Sequence, residues 1–210
     1  MSLPDGVARR DIDGRERLAT RGDPVYGEPA AGGWRAWDPR RSKLAAMLDR
    51  GLDVGLAPDA AVLYLGAAAG TTVSHVADVA GPIYAVEFAA RPVRDLVRVA
   101  EARRSVVPLY KDAREPETYA HVVEADLDLL VQDVATRDQA GVAAANRRFL
   151  ADDGRLALAI KARSEDVAAA PDAVYDRVLD ALAADYDVID TAALEPEHAD
   201  HLAVVATPRR

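Results

Sequence analysis

The stretch Val62-Leu63-Tyr64-Leu65-Gly66-Ala67-Ala68-Ala69-Gly70-Thr71-Thr72 constrains this chain more than any other. An apolar run stops at a glycine, small residues make a turn, and two threonines open the next helix. A second apolar run, Ile83-Tyr84-Ala85-Val86, ends on Glu87 about twenty residues after the turn. This is the layout of a nucleotide-type cofactor site on a parallel sheet. Small residues let the backbone approach a ligand, and the acid is placed to accept hydrogen bonds from two ribose hydroxyls. Ala68 stands where the second of three closely spaced glycines would sit, so a pyrophosphate cradle is incomplete. An adenosyl cofactor without a pyrophosphate fits better, and S-adenosylmethionine is the common one. A dinucleotide enzyme is a distant reading.

From residue 60 onward, strand-like and helical segments alternate. Strands are expected at 61–65, 82–87, 106–110, 127–132, 155–161, 186–193 and 202–206, and helices at 71–80, 90–104, 115–123, 137–150 and 171–184. Runs 61–65 and 127–132 are mostly apolar on both faces, as expected for central strands of a covered parallel sheet. Only a short connection joins the last two strands, which suits an antiparallel edge hairpin. The expected fold is α/β: the Rossmann-like fold of S-adenosylmethionine-dependent methyltransferases, with a mainly parallel seven-stranded sheet. Residues 1–37 lack helical periodicity and carry the turn signals Asp13-Gly14 and Gly22-Asp23-Pro24, so they read as a small β appendage. Residues 38–210 then form the methyltransferase domain. Asp38-Pro39 reads as the start of a helix with Asp38 as N-cap. Trp34 and Trp37 read as packing between the two parts.

The four early strands of the main domain deliver Gly66, Glu87, Asp112 and Asp133 to the carboxyl edge, where ligands of open α/β sheets bind. Any single acid there could cap the next helix, but the series points to a ligand. Glu87 would take the ribose hydroxyls, Asp112 with Ala113 the adenine, and Asp133 the methionine end. Thr71 and Thr72 would offer backbone N–H groups and hydroxyls to the carboxylate.

Composition narrows the partners. The 210 residues carry a formal charge of −9, which argues against a free-standing nucleic-acid binder. Abundant acid, much alanine and only three lysines (Lys43, Lys111, Lys161) suggest a salty cytoplasm and a GC-rich genome. The chain has no cysteine, and His75, His121, His198 and His201 show no zinc-hydrolase spacing, so no metal site is expected. No apolar run approaches membrane-spanning length and the N-terminus is charged, so a soluble cytoplasmic protein is expected.

Several blocks together resemble fibrillarin in its archaeal form. They are Val25-Tyr26-Gly27-Glu28, Trp34-Arg35-Ala36-Trp37-Asp38-Pro39-Arg40-Arg41-Ser42-Lys43-Leu44-Ala45-Ala46, the glycine turn through Val76, Val86-Glu87-Phe88-Ala89, Asp112-Ala113-Arg114, Asp133-Val134-Ala135 and Ile160-Lys161-Ala162-Arg163-Ser164. They occur in the family's order over nearly the whole chain. The resemblance implies an S-adenosylmethionine-dependent RNA 2′-O-methyltransferase acting on rRNA, with tRNA a further target. It also implies a box C/D particle with a guide RNA, a Nop-family scaffold protein and a kink-turn-binding protein.

Carried over by position, the cofactor residues are Gly66, Ala67, Gly70, Thr71, Thr72, Glu87, Phe88, Asp112, Ala113, Asp133, Val134, Ala135, Thr136 and Gln139. Thr136 departs from the family's usual glutamine, and Arg137-Asp138 stand where a proline is usual. The family's catalytic constellation falls on Lys43, Asp133, Lys161 and His201. Lys161 would act on the ribose hydroxyl as general base or oxyanion stabiliser, with Asp133 orienting it. Lys43 would also steer the target, and His201 would complete the ring. Lys111 reads as a solvated charge. Arg35, Arg40, Arg41 and Arg163, close in sequence to those lysines, read equally as an RNA path or as surface ion pairs. Two other functions remain open to the same motifs: a small-molecule O-methyltransferase, and a catalytically silent subunit of the same particle.

Overall fold

Alternate residues of each central strand point to opposite faces, and both sets are apolar, so both faces must be covered. The computed structural model, which describes residues 3–209, shows how. Val62 and Tyr64 of strand β5 (Val62–Leu65) face one core, and Leu63 and Leu65 face the other. The same split repeats along β6 (Ile83–Glu87), β8 (Leu127–Gln132) and β9 (Leu150–Lys161). On the first face lie α1 (Lys43–Asp49), α2 (Thr71–Val76) and α3 (Ala90–Ala102); on the second lie α4 (Gln139–Asn146) and α6 (Pro171–Leu182).

The main sheet has seven strands in the order β10-β11-β9-β8-β5-β6-β7, where β7 is Val106–Tyr110, β10 Tyr186–Ala193 and β11 His201–Pro208. Strands β5 to β9 run parallel, and β11 pairs antiparallel with both β9 and β10. The expected sheet with its edge hairpin is therefore present. The order reverses at β5, with β8 on one side and β6 on the other, and the crevice beside such a switch point is where ligands enter.

Residues 7–36 form a second, four-stranded antiparallel sheet, β1 (Val7–Ile12), β2 (Arg15–Arg21), β3 (Ala30–Ala31) and β4 (Trp34–Ala36), ordered β1-β2-β4-β3. It does not stand apart. Val7, Leu18 and Trp37 enter the same core as Leu44, Met47 and Val73. Burying an aliphatic side chain of this kind contributes roughly 1.5–3 kcal/mol. Trp37 stacks face to face on His75 of α2, 5.0 Å between centroids, whereas Trp34 lies under the guanidiniums of Arg10 and Arg21. Only Trp37 therefore packs into the core that the two parts share.

Several boundaries differ from expectation. Asp38-Pro39 does not start a helix: Asp38 accepts from the backbone N–H and guanidinium of Arg40 and closes a turn. The helix begins at Lys43, capped by Ser42, whose Oγ accepts from Ala45 N at 3.1 Å. Segment 115–123 holds only a 3-10 turn at Pro116–Thr118, and β9 starts five residues earlier than 155. A short helix, α5 (Ala162–Glu165), follows β9. Among the described residues no helix is long and apolar enough to cross a membrane.

Candidate active site

Each parallel strand hands one residue to the crevice. At the end of β5, Gly66 has φ +82°, and a Cβ there would lie 2.7 Å from the carbonyl oxygen of Asp133, so only glycine lets the ends of β5 and β8 meet. At the end of β6, Glu87 is 7 % exposed. Its two carboxylate oxygens accept from Ala68 N (2.9 Å) and Ala89 N (2.7 Å), which fixes the group while each oxygen keeps a free lone pair. Phe88, next in sequence, is 68 % exposed at the rim.

Beyond β7, Asp112 is gripped by Arg114 through Nε (3.0 Å) and Nη2 (2.5 Å), and this hydrogen bonding holds its carboxyl below the usual range. The carboxylate expected to meet an adenine amine lines the cavity with a guanidinium bound to it, and Ala113 beside it forms part of the apolar lining.

At the end of β8, Asp133 is the centre of the charged cluster. Lys161 Nζ lies 2.7 Å from its Oδ1 and donates to its backbone carbonyl, also at 2.7 Å. Lys43 Nζ, from the first turn of α1, lies 3.1 Å from the same Oδ1. Burial lowers the Lys161 pKa; Asp133 opposes that shift and Lys43 adds to it. His201 stands directly opposite Lys161 in the antiparallel register of β11 and β9. Its Nδ1 lies 2.6 Å from the Ala199 carbonyl, so Nδ1 carries the proton and Nε2 is left as the acceptor. Burial, with Lys43 and Lys161 nearby, lowers its pKa as well. Residues 43, 133, 161 and 201, scattered over the sequence, are brought together at one end of the sheet.

A cavity of about 380 Å³ opens beside this cluster. Gly66, Glu87, Phe88, Asp112, Ala113, Asp133, Val134, Ala135, Thr136 and Lys161 all line it. Ala68, Val86, Lys111, Arg114 and Val142 line it too and were missed; Lys111 does so from an exposed position at the rim. Arg114 carried a local signal, since it sits two residues after Asp112 in an Asx-type turn. Val142 carried none, because its place depends on how α4 lies across the sheet.

Other expected residues lie elsewhere. Gly70 serves packing: a Cβ there would lie 2.9 Å from Leu96 of α3. Ala67 is buried in the first core. The Thr72 hydroxyl donates to Ser42 Oγ at 3.0 Å, and Thr71 lines a separate recess. Gln139 is a clear departure. Its amide accepts from Lys161 N (2.9 Å) and donates to Lys161 O (3.1 Å) and Glu165 (2.9 Å), so it clamps the backbone of Lys161 rather than facing the cavity. Arg35 departs from the RNA-path reading. It is fully buried, with Nε 2.7 Å from Asp78, Nη1 3.2 Å from Glu28 and Nη2 3.1 Å from Ser74 Oγ. Arg163 pairs with Asp200 at 2.8 Å.

The residues present suit an adenosyl sulfonium. A fixed acceptor stands at the end of β6, the lining between Val86, Ala113, Val134 and Val142 is apolar, and an anion lies at the far end in Asp133. The volume falls in the range of small-molecule sites, roughly 300–1,000 Å³.

Comparison with known proteins agrees. The family model Fibrillarin matches residues 9–210. A relative from Halorubrum lacusprofundi, named fibrillarin-like rRNA/tRNA 2′-O-methyltransferase, is 64 % identical over 99 % of this chain and 98 % of its own length. The structure is similar to that of a fibrillarin/Nop5p complex (TM-score 0.91, 37 % identity, all of both chains). It is also similar to Aeropyrum pernix fibrillarin with natively bound S-adenosyl-L-methionine (TM-score 0.83, 40 % identity, 96 % of this chain and 97 % of that one). With a family model over nearly its whole length and a close relative end to end, the chain belongs to the fibrillarin family.

Proposed function

We propose that the chain methylates ribose 2′-hydroxyls of ribosomal and transfer RNA, with S-adenosylmethionine as methyl donor. The observation that carries this is the Lys43–Asp133–Lys161 cluster at the inner end of an adenosine-sized cavity. When bound, S-adenosylmethionine supplies a methyl group on a positively charged sulfur, an electrophile open to a hydroxyl oxygen. Glu87 would hold the ribose of the cofactor, Ala113 and Phe88 its adenine, and Asp133 would favour the positive charge.

Lys161 is the residue assigned to the target hydroxyl. Its buried position disfavours the ammonium form, which increases the neutral fraction able to accept the hydroxyl proton on Nζ. Asp133 and the Gln139 clamp hold Nζ in place, while Lys43 keeps the pKa down. Alignment of this kind is worth about 7–11 kcal/mol in the best intramolecular cases. His201, with Nε2 free, accepts a hydrogen bond at the same end.

With a charge of −9, the chain works inside a particle rather than on naked RNA. We assign it a Nop5-type scaffold, a box C/D guide RNA that selects the target by pairing, and a kink-turn-binding protein, acting in the cytoplasm. The experiment is a map of 2′-O-methyl sites in cells carrying only Lys161→Ala. Loss of marks at guide-complementary sites, with protein level and scaffold association intact, is the expected result. An unchanged map overturns the assignment. Methyl transfer to a small acceptor without RNA would favour a different enzyme.

A further inference from the structure

A second recess, of about 230 Å³, lies between the 38–42 turn and the small sheet, and shares no lining residue with the cofactor cavity. Its walls include Arg17 of β2, Arg40, Arg41, Ser42 and Thr71. We propose that this recess binds a backbone phosphate of the RNA strand that carries the methylated ribose. The inference rests on the reading above and names the residues that would grip the substrate.

The charge balance of the recess is the first argument. Two carboxylates face it, Asp38 and Glu28, and both are already matched. Asp38 is held in a fork by Arg40, at 3.1 Å and 3.0 Å. Glu28 is held by buried Arg35 and by the N–H groups of Val25 and Tyr26. His75, also in the wall, is kept neutral by burial and by Arg35 and Arg103. That leaves Arg17 and Arg41. Arg17 makes one long bond, Nε to the Ile12 carbonyl at 3.4 Å, and Arg41 has no ion pair among the described residues. Two guanidiniums without an ion pair among the described residues, in one concave site, are unusual for a chain with nine more negative than positive charges. Guanidinium groups suit phosphate because their donors match two of its oxygens at once.

Ser42 adds a directed donor. It is 2 % exposed, and its Oγ receives the Ala45 N–H and the Thr72 hydroxyl, which leaves its own proton for the recess.

Position along the chain is the third argument. Arg41 and Ser42 immediately precede Lys43, whose ammonium sits on Asp133. Two Cα steps span at most about 7.6 Å. A strand held in the recess by the phosphate next to the target nucleotide therefore presents that nucleotide's ribose to Lys43 and Lys161.

The test uses the assembled particle carrying wild type, Arg17→Ala/Arg41→Ala, or Arg17→Lys/Arg41→Lys. Target-RNA affinity is read by direct binding and by KM over a salt series, alongside kcat, S-adenosylmethionine Kd and Tm. For the alanine pair, RNA affinity should fall about tenfold or more. The slope of log affinity against log salt should shrink by about 0.7 for one phosphate contact on a single strand. The cofactor Kd, kcat and Tm should stay put, and the lysine pair should recover part of the loss. Unchanged RNA affinity and salt slope overturn the proposal. So does a weakened cofactor Kd with intact RNA affinity, which would assign the recess to the cofactor's carboxylate. Loss of the scaffold at unchanged RNA affinity would assign it to an acidic protein segment. If the wild-type particle methylates no ribose, the parent reading fails, and direct RNA binding still decides the recess.

Discussion

Replacing Arg35 by methionine isolates the contribution of one buried charge. The substitution keeps an unbranched apolar stem and removes the guanidinium from a closed quartet: Arg35 and Arg103 against Asp78 and Glu28. The Arg35 side chain is fully buried, and those of Glu28 and Asp78 are within a few per cent of it. After the change Asp78 keeps Arg103 at 3.0 Å and the Thr20 hydroxyl at 2.7 Å. Glu28 keeps the N–H groups of Val25 and Tyr26, with Nε2 of the buried His75 ring 3.9 Å away. Stranding one partner of a buried pair costs about 3–5 kcal/mol. Because Asp78 remains paired, we expect the lower end, about 3 kcal/mol. For a chain of this length that is a fall in Tm of roughly 6–12 °C. Calorimetry on the cofactor-free protein at fixed salt measures it. The loss should persist as salt is raised, since buried pairs are screened far less than exposed ones. Adding Glu28→Gln to Arg35→Met should restore part of the stability by neutralising the stranded acid. A fall below about 2 °C, or no recovery in the double variant, refutes the idea that this quartet joins the small sheet to the main domain.

Other changes probe the site itself. Tyr26 donates its hydroxyl to the carbonyl of Ala69 in the glycine turn, so Tyr26→Phe should loosen that turn. A typical hydrogen bond is worth about 1 kcal/mol, so S-adenosylmethionine Kd by calorimetry should rise about fivefold with RNA affinity unchanged. Lys161→Arg should cut kcat at least about a hundredfold, as loss of a general base does; a milder effect would leave Lys161 as an electrostatic group only. Because Lys43 lowers the Lys161 pKa, Lys43→Met should move the rising alkaline limb of the rate profile to higher pH, and a limb that stays put contradicts the coupling. His75 has its pKa pushed down to about 2 by burial and by Arg35 and Arg103, against 6.5 unfolded. The unfolded chain then takes up a proton the native one refuses, so stability falls as pH drops below 6.5, by about 1.4 kcal/mol per unit. Denaturant titrations of wild type and His75→Gln should diverge in that window, and parallel curves would show that the ring is not held neutral.

Much of this site was legible because strand ends are legible. An apolar run followed by Gly66, Glu87 or Asp133 specifies both a strand and the edge at which it stops, and the parallel topology gathers those edges. Asp38-Pro39 misled because a strong capping dipeptide competes locally with a turn. Here the neighbouring Arg40 and the hydrogen bond that His198 Nε2, 159 positions away, donates to the Pro39 carbonyl favour the turn. Gln139 and Arg35 misled for a related reason. Their partners, Lys161 and Glu165 in one case and Asp78 and Ser74 in the other, become neighbours only when the chain is folded. A polar residue near a motif looks the same in sequence whether it faces a ligand or clamps the residue that does.

The register of β11 has a consequence for how the protein is made. β11 follows β10 in the chain, yet it lies between β10 and β9 in the sheet and sets His201 against Lys161. During synthesis, β5 through β9 can pair as they emerge, while β10 has no neighbour to hold it until β11 arrives. A nascent chain that has emerged only through β10 therefore carries the whole cofactor cavity but an unpaired β9 edge and a Lys161 with no strand opposite it. Ligand binding can therefore precede completion of the charged cluster, which waits for the insertion of a single strand.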